Sequence, residues 1–232
     1  MPAFAHTFEE ETVVSSMPVN GATEQTTTVI IGTGLSGLAV AAELRRRGVH
    51  SIVVDGLDIL GAGQPANTAS LQRCDAADSV SLRERNEILR HLRNYAASHQ
   101  MDVRNTTRAV QLSMVHPASG TAAVGTGAGA APAHQWEVHT PTGILLADHI
   151  VLTRCAHSQL RRMLSDFGIA VGRNLVAAMR AIGIYLVGVG DLITPSPKEV
   201  LRQAKTVGQA ISSKVHPENA PIMTGSFAVL PA

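Results

Sequence analysis

The run Gly32-Thr33-Gly34-Leu35-Ser36-Gly37 constrains this chain more than any other feature. It follows a short β-branched stretch at residues 27–31 that suits a buried parallel strand, and it opens a segment of helical periodicity over residues 35–47. A second apolar strand, Ser51-Ile52-Val53-Val54, comes next. Strand, glycine turn, helix and strand in that order make one right-handed βαβ unit. Within such a unit each glycine has a mechanical reason. Gly32 permits the tight turn, Gly34 lets a pyrophosphate approach the backbone, and Gly37 lets helix and strand pack closely. The N–H groups that open the helix, at Leu35 and Ser36, face the anion from the positive end of the helix. Asp55 falls 23 residues after Gly32, at the end of the second strand, where a carboxylate would accept a hydrogen bond from a ribose hydroxyl.

The rest of the chain reads as an α/β fold, a parallel sheet with an inserted antiparallel β-meander in a single domain. Residues 1–26 are polar and broken by Pro18 and Gly21, so they are expected to form a flexible N-terminal arm. Residues 56–81 are rich in Gly, Ala, Asn, Ser and Asp, a long irregular segment of the kind that touches ligands. Residues 82–98 place Ile88, Leu89, Leu92, Tyr95 and Ala96 on one helical face. A strand region follows from Val103 through Met114. The Gly/Ala-rich stretch 116–134 is expected to be a flexible hairpin loop, because Pro132 forbids a helix after Gly125-Thr126-Gly127. Trp136, Val138 and Thr140 then alternate into a Pro141-Thr142-Gly143 turn, a strand follows at residues 144–146, and the meander ends in a parallel strand at residues 150–153. A helix at 158–167, an apolar strand at 184–188 and a helix at 198–214 complete the domain, which spans residues 27–214. Ser196 caps the last helix and Pro197 suits its first turn. Residues 215–232 read as a C-terminal tail.

Composition bounds the function. Nineteen basic against eighteen acidic residues leave a formal charge of +1 and no field to recruit nucleic acid or an anionic membrane. Cys74 and Cys155 are the only cysteines, too few for a disulfide framework and not spaced as a redox pair or a metal site. No metal site is expected. The absence of a signal-like or membrane-length apolar run predicts a cytoplasmic protein.

On these residues the chain resembles FAD-dependent oxidoreductases with two dinucleotide-binding domains, in particular flavin-containing and Baeyer–Villiger monooxygenases. The resemblance implies FAD as cofactor, held by Gly32, Gly34, Leu35, Ser36, Gly37 and Asp55. Leu60-Gly61-Ala62-Gly63-Gln64 sits where the family has a Gly-Gly-Thr-Trp-like segment, which implies cofactor contacts from Gly63 and Gln64. Arg73-Cys74-Asp75 resembles an Arg-Cys-Asp segment near the flavin and implies Asp75 as the catalytic candidate. The resemblance further implies that the Val110 backbone pairs with adenine. Gly190 and Asp191 match the closing segment that binds the ribityl chain, ahead of a helix whose N-terminus faces the flavin. His149 and His157 are weaker acid–base candidates, and Tyr185 belongs to a core strand.

The sequence departs from that family between Cys155 and Gly183, where fewer than thirty residues and no second glycine fingerprint stand in place of an NADPH-binding domain. Thr153-Arg154-Cys155 also replaces the family's Ala-Thr-Gly. Three readings stay open: an oxidoreductase of monooxygenase or oxidase type acting on an organic small molecule in a specialised biosynthetic pathway, a redox-neutral FAD-dependent cyclase or isomerase, and a non-catalytic flavin-binding subunit. The first expects a small-molecule substrate and a separate flavin reductase or the substrate itself as electron donor. A homodimer, or the N-terminal arm, is expected to cover the flavin face.

Overall fold

The computed structural model describes residues 21–57, 79–115, 135–153, 157–168, 175–189 and 195–219. Seven strands form one sheet: β1 (Ala22–Ile31), β2 (Ser51–Leu57), β3 (Asp102–Ala109), β4 (Gln111–Val115), β5 (Gln135–Thr140), β6 (Gly143–Leu152) and β7 (Ile184–Leu186). Their order is β3-β2-β1-β6-β5-β4, with β7 also on β6. β1, β2, β3, β6 and β7 run parallel, and β4, β5 and the first half of β6 make an antiparallel meander. β1 follows one edge of β6 from Gly143 to Leu152, so β5 and β7 share the other edge in succession.

Side chains alternate across this sheet and build two cores. Val29, Ile31, Ile52, Val54, Ile150, Leu152 and Ile184 point to one face, and Ile30, Val53, Val151 and Tyr185 point to the other. Where β6 pairs with the meander its burial alternates, and where helices cover both faces its burial becomes continuous. That switch is the difference between a one-sided and a two-sided sheet.

Three helices cover the Ile30 face: α1 (Leu35–Arg46), α2 (Ser79–Ser98) and α5 (Pro197–Val215). α1 buries Leu35, Leu38, Val40 and Leu44 together with small Ala39, Ala41 and Ala42, which lets it lie between the sheet and α5. α5 presents Val200, Ala204, Val207 and Ile211 as one stripe at helical spacing. Burying each such aliphatic side chain contributes about 1.5–3 kcal/mol. On the opposite face α3 (His157–Asp166) and α4 (Leu175–Ala181) supply Leu160, Met163, Leu164, Leu175 and Met179. Trp136 anchors this side, fully buried, with its indole N–H donating to the Ile182 carbonyl at 2.8 Å and its ring edge-on to Phe167.

The α/β architecture with its inserted meander stands as the sequence implies, with four corrections. Residues 22–26 are not part of an arm: they form the first half of β1, paired to β6 from Gly143 to Ala147. The strand region from Val103 to Met114 is two strands, broken at Val110. The last two strands of the meander region are one ten-residue strand, β6. The tail begins later than residue 215, because α5 reaches Val215 and a 3-10 turn follows at Pro217–Asn219. α4 carried no periodic signal in the sequence. Residues 1–20, residues 116–134, where a hairpin loop is expected, and residues 220–232 lie outside the described residues.

Candidate functional site

The carboxyl ends of β1, β2, β6 and β7 converge on the glycine turn. Gly32 leaves β1 at φ +120°, a conformation that disfavours any side chain, and its N–H crosses to the Val54 carbonyl of β2 at 2.8 Å. A Cβ at Gly32 would overlap the Thr153 hydroxyl. Thr153 is itself buried and donates both its N–H, at 3.2 Å, and its Oγ1, at 2.9 Å, to the Ile31 carbonyl. A Cβ at Gly37 would overlap the Gly32 carbonyl oxygen, so α1 rests directly on the turn. These two glycines are required by packing.

Gly34 is different. It is the N-cap of α1 in ordinary extended geometry, φ −79° and ψ −168°, which any residue can adopt. A Cβ built there meets nothing within 4 Å. No side chain caps the helix. The first N–H groups of an α-helix have no partner within the helix. The fold thus leaves open space over an uncapped, positively polarised helix end at a position where packing does not ask for glycine. A phosphate fits that combination of free donors and missing side chain.

The neighbouring residues vary in how they stand to this turn. Leu35 is buried and Ser36 is half-buried, its hydroxyl pressed against Gly188. Asp55 is exposed at the carboxyl end of β2, beside the turn, and its Oδ1 accepts the Gly56 N–H at 2.9 Å. Val110 is half exposed between β3 and β4, but its N–H donates to the His139 carbonyl at 2.8 Å. Of the backbone groups at Val110 expected to serve adenine, the N–H is therefore used by the sheet, and such a contact would fall to the carbonyl. Gly63, Gln64, Asp75, Gly190 and Asp191 lie outside the described residues, as do Cys74 and Cys155.

Among the weaker candidates, His149 is buried in β6 opposite Thr28, its ring edge-on to Tyr185 at 5.9 Å. It sits three residues before the carboxyl end of its strand, under the α5 face, and is a core histidine. His157 opens α3. Tyr185 is buried in β7, as expected of a core strand.

Three contributors carried no signal in the sequence beyond their residue type. Thr153 braces the first glycine, Gly188 touches the first turn of α1, and Gln203 of α5 accepts the Gly188 N–H on its Oε1 at 2.9 Å. The only hint at Thr153 was its departure from the family's Ala-Thr-Gly.

α5 begins near this edge as predicted, with Ser196 Oγ accepting the Glu199 N–H at 3.3 Å and Pro197 in the first turn. Hydrogen bonds from Arg202 and then Gln203 hold the Glu199 carboxyl below the usual carboxylate range. At the opposite, amino ends of the strands lies a cleft of about 530 Å³ lined by Glu24, His50, Asp102 and Asp148. Burial raises the Asp148 carboxyl, partly offset by a hydrogen bond with Gln135. Among the described residues no group of three or more His, Cys, Asp and Glu is placed to hold a metal ion. No described helix is long and apolar enough to cross a membrane.

The family described as NAD(P)-binding Rossmann-like domain matches residues 30–75, which include the end of β1, the turn, α1 and β2. A search of the curated proteins finds no match to this chain. Among solved structures, THI4 from Thermovibrio ammonificans is similar with a TM-score of 0.52 at 15% identity, over 83% of this chain and 90% of that one. A thioredoxin reductase from Gloeobacter violaceus is similar at 11% identity with a TM-score of 0.42, over 84% of this chain and 97% of its own. CtdE, solved in complex with FAD, matches at 20% identity with a TM-score of 0.36, over 60% of this chain. The chain spans 41% of the length of CtdE. The likeness to THI4 accords with the Rossmann-like α/β fold described above.

Proposed function

We propose that this chain binds FAD at the turn of Gly32, Gly34 and Gly37 and acts as a flavoprotein oxidoreductase on an organic small molecule. The observation that carries the reading is Gly34, the one glycine of the motif whose missing side chain the packing does not explain. The amides of Leu35 and Ser36 at the uncapped start of α1 would hold the pyrophosphate, and Asp55 would accept a ribose hydroxyl. The Val110 carbonyl would meet adenine. Asp191, following β7, would bind the ribityl chain, with Gly190 beside it and Gly63 and Gln64 contributing from the segment after β2. FAD is favoured over a nicotinamide dinucleotide by the meander of β4, β5 and β6, which matches the resemblance to FAD enzymes.

Bound there, the flavin would supply electron transfer to or from the substrate. The chain's own part is to fix the dinucleotide at the carboxyl edge of the sheet and to place Asp75 as the acid–base candidate. Electrons would come from the substrate or from a separate flavin reductase, because residues 153–183 contain no second glycine fingerprint. A second copy of the chain is a candidate cover for the open flavin face.

The direct test is a titration of the purified, cofactor-stripped protein with FAD, NADH and NADPH, followed by fluorescence and the visible spectrum. Saturable one-to-one binding of FAD with a protein-shifted flavin spectrum is expected. Saturation by a nicotinamide dinucleotide with no uptake of FAD would sink the proposal.

A further inference from the structure

The formal charge of +1 conceals an uneven distribution. α1 with its C-cap Arg47, α2 and α5, the three helices on the Ile30 face of the sheet, carry eleven Lys and Arg against four Glu, a charge of +7. The remaining eight basic and fourteen acidic residues leave the rest of the chain at −6. Most cations of the layer are exposed: the side chains of Arg46, Lys198 and Arg202 keep 54%, 84% and 76% of their surface. One helix layer is therefore a basic face on a nearly neutral protein, with a field of its own to attract anionic partners.

Within that face lies a groove of about 740 Å³. α2 and α5 both pack on α1 but touch each other little, and Ala96 is the only described side chain of α2 that is fully buried. Ile88, Leu92 and Tyr95 of α2 and Leu201 of α5 are left as an apolar floor between the two helices. The rim is cationic. Arg46 lies over the Tyr95 ring at 5.2 Å, and Arg202 and Lys205 stand along the α5 side. Arg46 and Arg202 each have a glutamate of their own helix, whereas Lys205 has no carboxylate partner among the described residues. One turn ahead of the groove the Lys198–Glu84 pair, at 3.7 Å, ties α5 to α2.

We propose that this groove docks an acidic amphipathic helix of another protein. Apolar side chains of that helix, at spacing i, i+4 and i+7, would enter the floor, and its flanking Asp or Glu would meet Arg46, Arg202 and Lys205. The proposal is independent of the flavin reading. Charge chooses the occupant: a second copy seated here would set one basic layer against another, at the cost of like-charge repulsion. A nucleic acid or an anionic bilayer would answer the charge but leave the apolar floor uncovered, because that floor is recessed between two helices and needs a narrow partner with side chains that reach into it.

The experiment selects displayed helix-forming peptides of about 16 residues, long enough for a helix to form on binding, against the immobilised full chain. Fluorescence anisotropy then compares the selected peptides on wild type, Lys205→Glu and Leu201→Ser. Both positions are exposed, so the melting temperature and FAD binding should not change. Selected peptides are expected to carry an excess of Asp and Glu around apolar residues at the stated spacing. Their affinity should fall about tenfold in Lys205→Glu, through reversal of a rim charge, and about fivefold in Leu201→Ser, through loss of apolar contact. Peptides without an acidic excess, or with affinity indifferent to either substitution, overturn the proposal. So does tighter binding of single-stranded DNA or phosphatidylserine vesicles than of any selected peptide, lost in Lys205→Glu but kept in Leu201→Ser. Concentration-dependent self-association of the wild type that Leu201→Ser abolishes would give the groove to a second copy and overturn it too.

Discussion

At the scale of single residues, the glycine motif divides into positions the fold needs and a position it does not, and substitution should separate them. Gly37→Ala drives a Cβ into the Gly32 carbonyl, an overpacking that costs about 1–3 kcal/mol and lowers the melting temperature. Gly34→Ser meets no atom, and its hydroxyl is a good N-cap for α1, so the melting temperature should stay the same or rise slightly. The same hydroxyl occupies the donors a phosphate would use, so FAD affinity should fall at least about tenfold. Thermal unfolding and a FAD titration on both variants check the pair. A Gly34→Ser protein that binds FAD as wild type does would remove the main support for the site. The motif was legible in sequence because its chemistry resides in the backbone of consecutive residues. Thr153 and Gln203 were not, because each matters only through a partner distant in the chain, Ile31 for one and Gly188 for the other.

Asp148 offers a second residue-scale test, through pH. Burial raises its folded-state pKa above the ordinary Asp value, so the native protein binds this proton more tightly than the unfolded chain does. The penalty is fully present at pH values above the raised pKa and is relieved as pH falls through it towards the ordinary carboxylate range. Asp148→Asn should therefore raise stability at pH 7, by less than about 1 kcal/mol because the group is only half-buried. The gain should shrink as the pH approaches 4. Melting curves of both proteins across that range provide the check, and a gain that grows on acidification would contradict the assignment.

At the scale of elements, what the sequence reveals depends on whether an element is covered on both faces. Ile30, Ile31, Val53, Val54, Val151 and Leu152 belong to strands sandwiched between helix layers, so they appear as apolar runs that read directly as parallel strands. The first half of β1, Ala-Thr-Glu-Gln-Thr, extends beyond that sandwich and exposes its side chains. Its composition therefore looks like an arm. What fixes it is the backbone ladder to β6, closed by Gly21 and Gly143 packing backbone to backbone, and by Arg104 of β3 reaching Glu24 at 2.8 Å. A chain beginning at Thr26 should therefore melt several degrees below one beginning at Gly21. The loss of about 1–3 kcal/mol would come mostly from the ladder, since the Arg104 pair is partly solvent-screened. Equal melting temperatures for the two truncations would show that these residues add nothing to the sheet.

For the whole molecule, the decisive question is what the connection from β6 to β7 has been used for. In that connection α3 and α4 turn Leu160, Met163, Leu164, Leu175 and Met179 into the core beneath Val29, Ile52, Ile150 and Ile184. Their apolar faces are consumed in covering the sheet, so the described part of the connection caps the Rossmann-like core and does not form a second nucleotide fold. The short connection was visible in the sequence, but its role was not, because α4 has too few residues for a periodic signal and its partners lie on strands far away in the chain. On the proposed FAD reading, the described part of this connection offers no second seat for a nicotinamide donor beside the flavin. Mixed anaerobically with excess NADPH, the FAD-loaded protein should keep its oxidised visible spectrum, while dithionite bleaches it at once. Adding a catalytic amount of a flavin reductase with NADPH, or the protein's own reducing substrate, should then bleach it. Rapid bleaching by NADPH alone would mean that the chain accepts hydride from NADPH directly, and the proposed dependence on a separate electron donor would have to be abandoned.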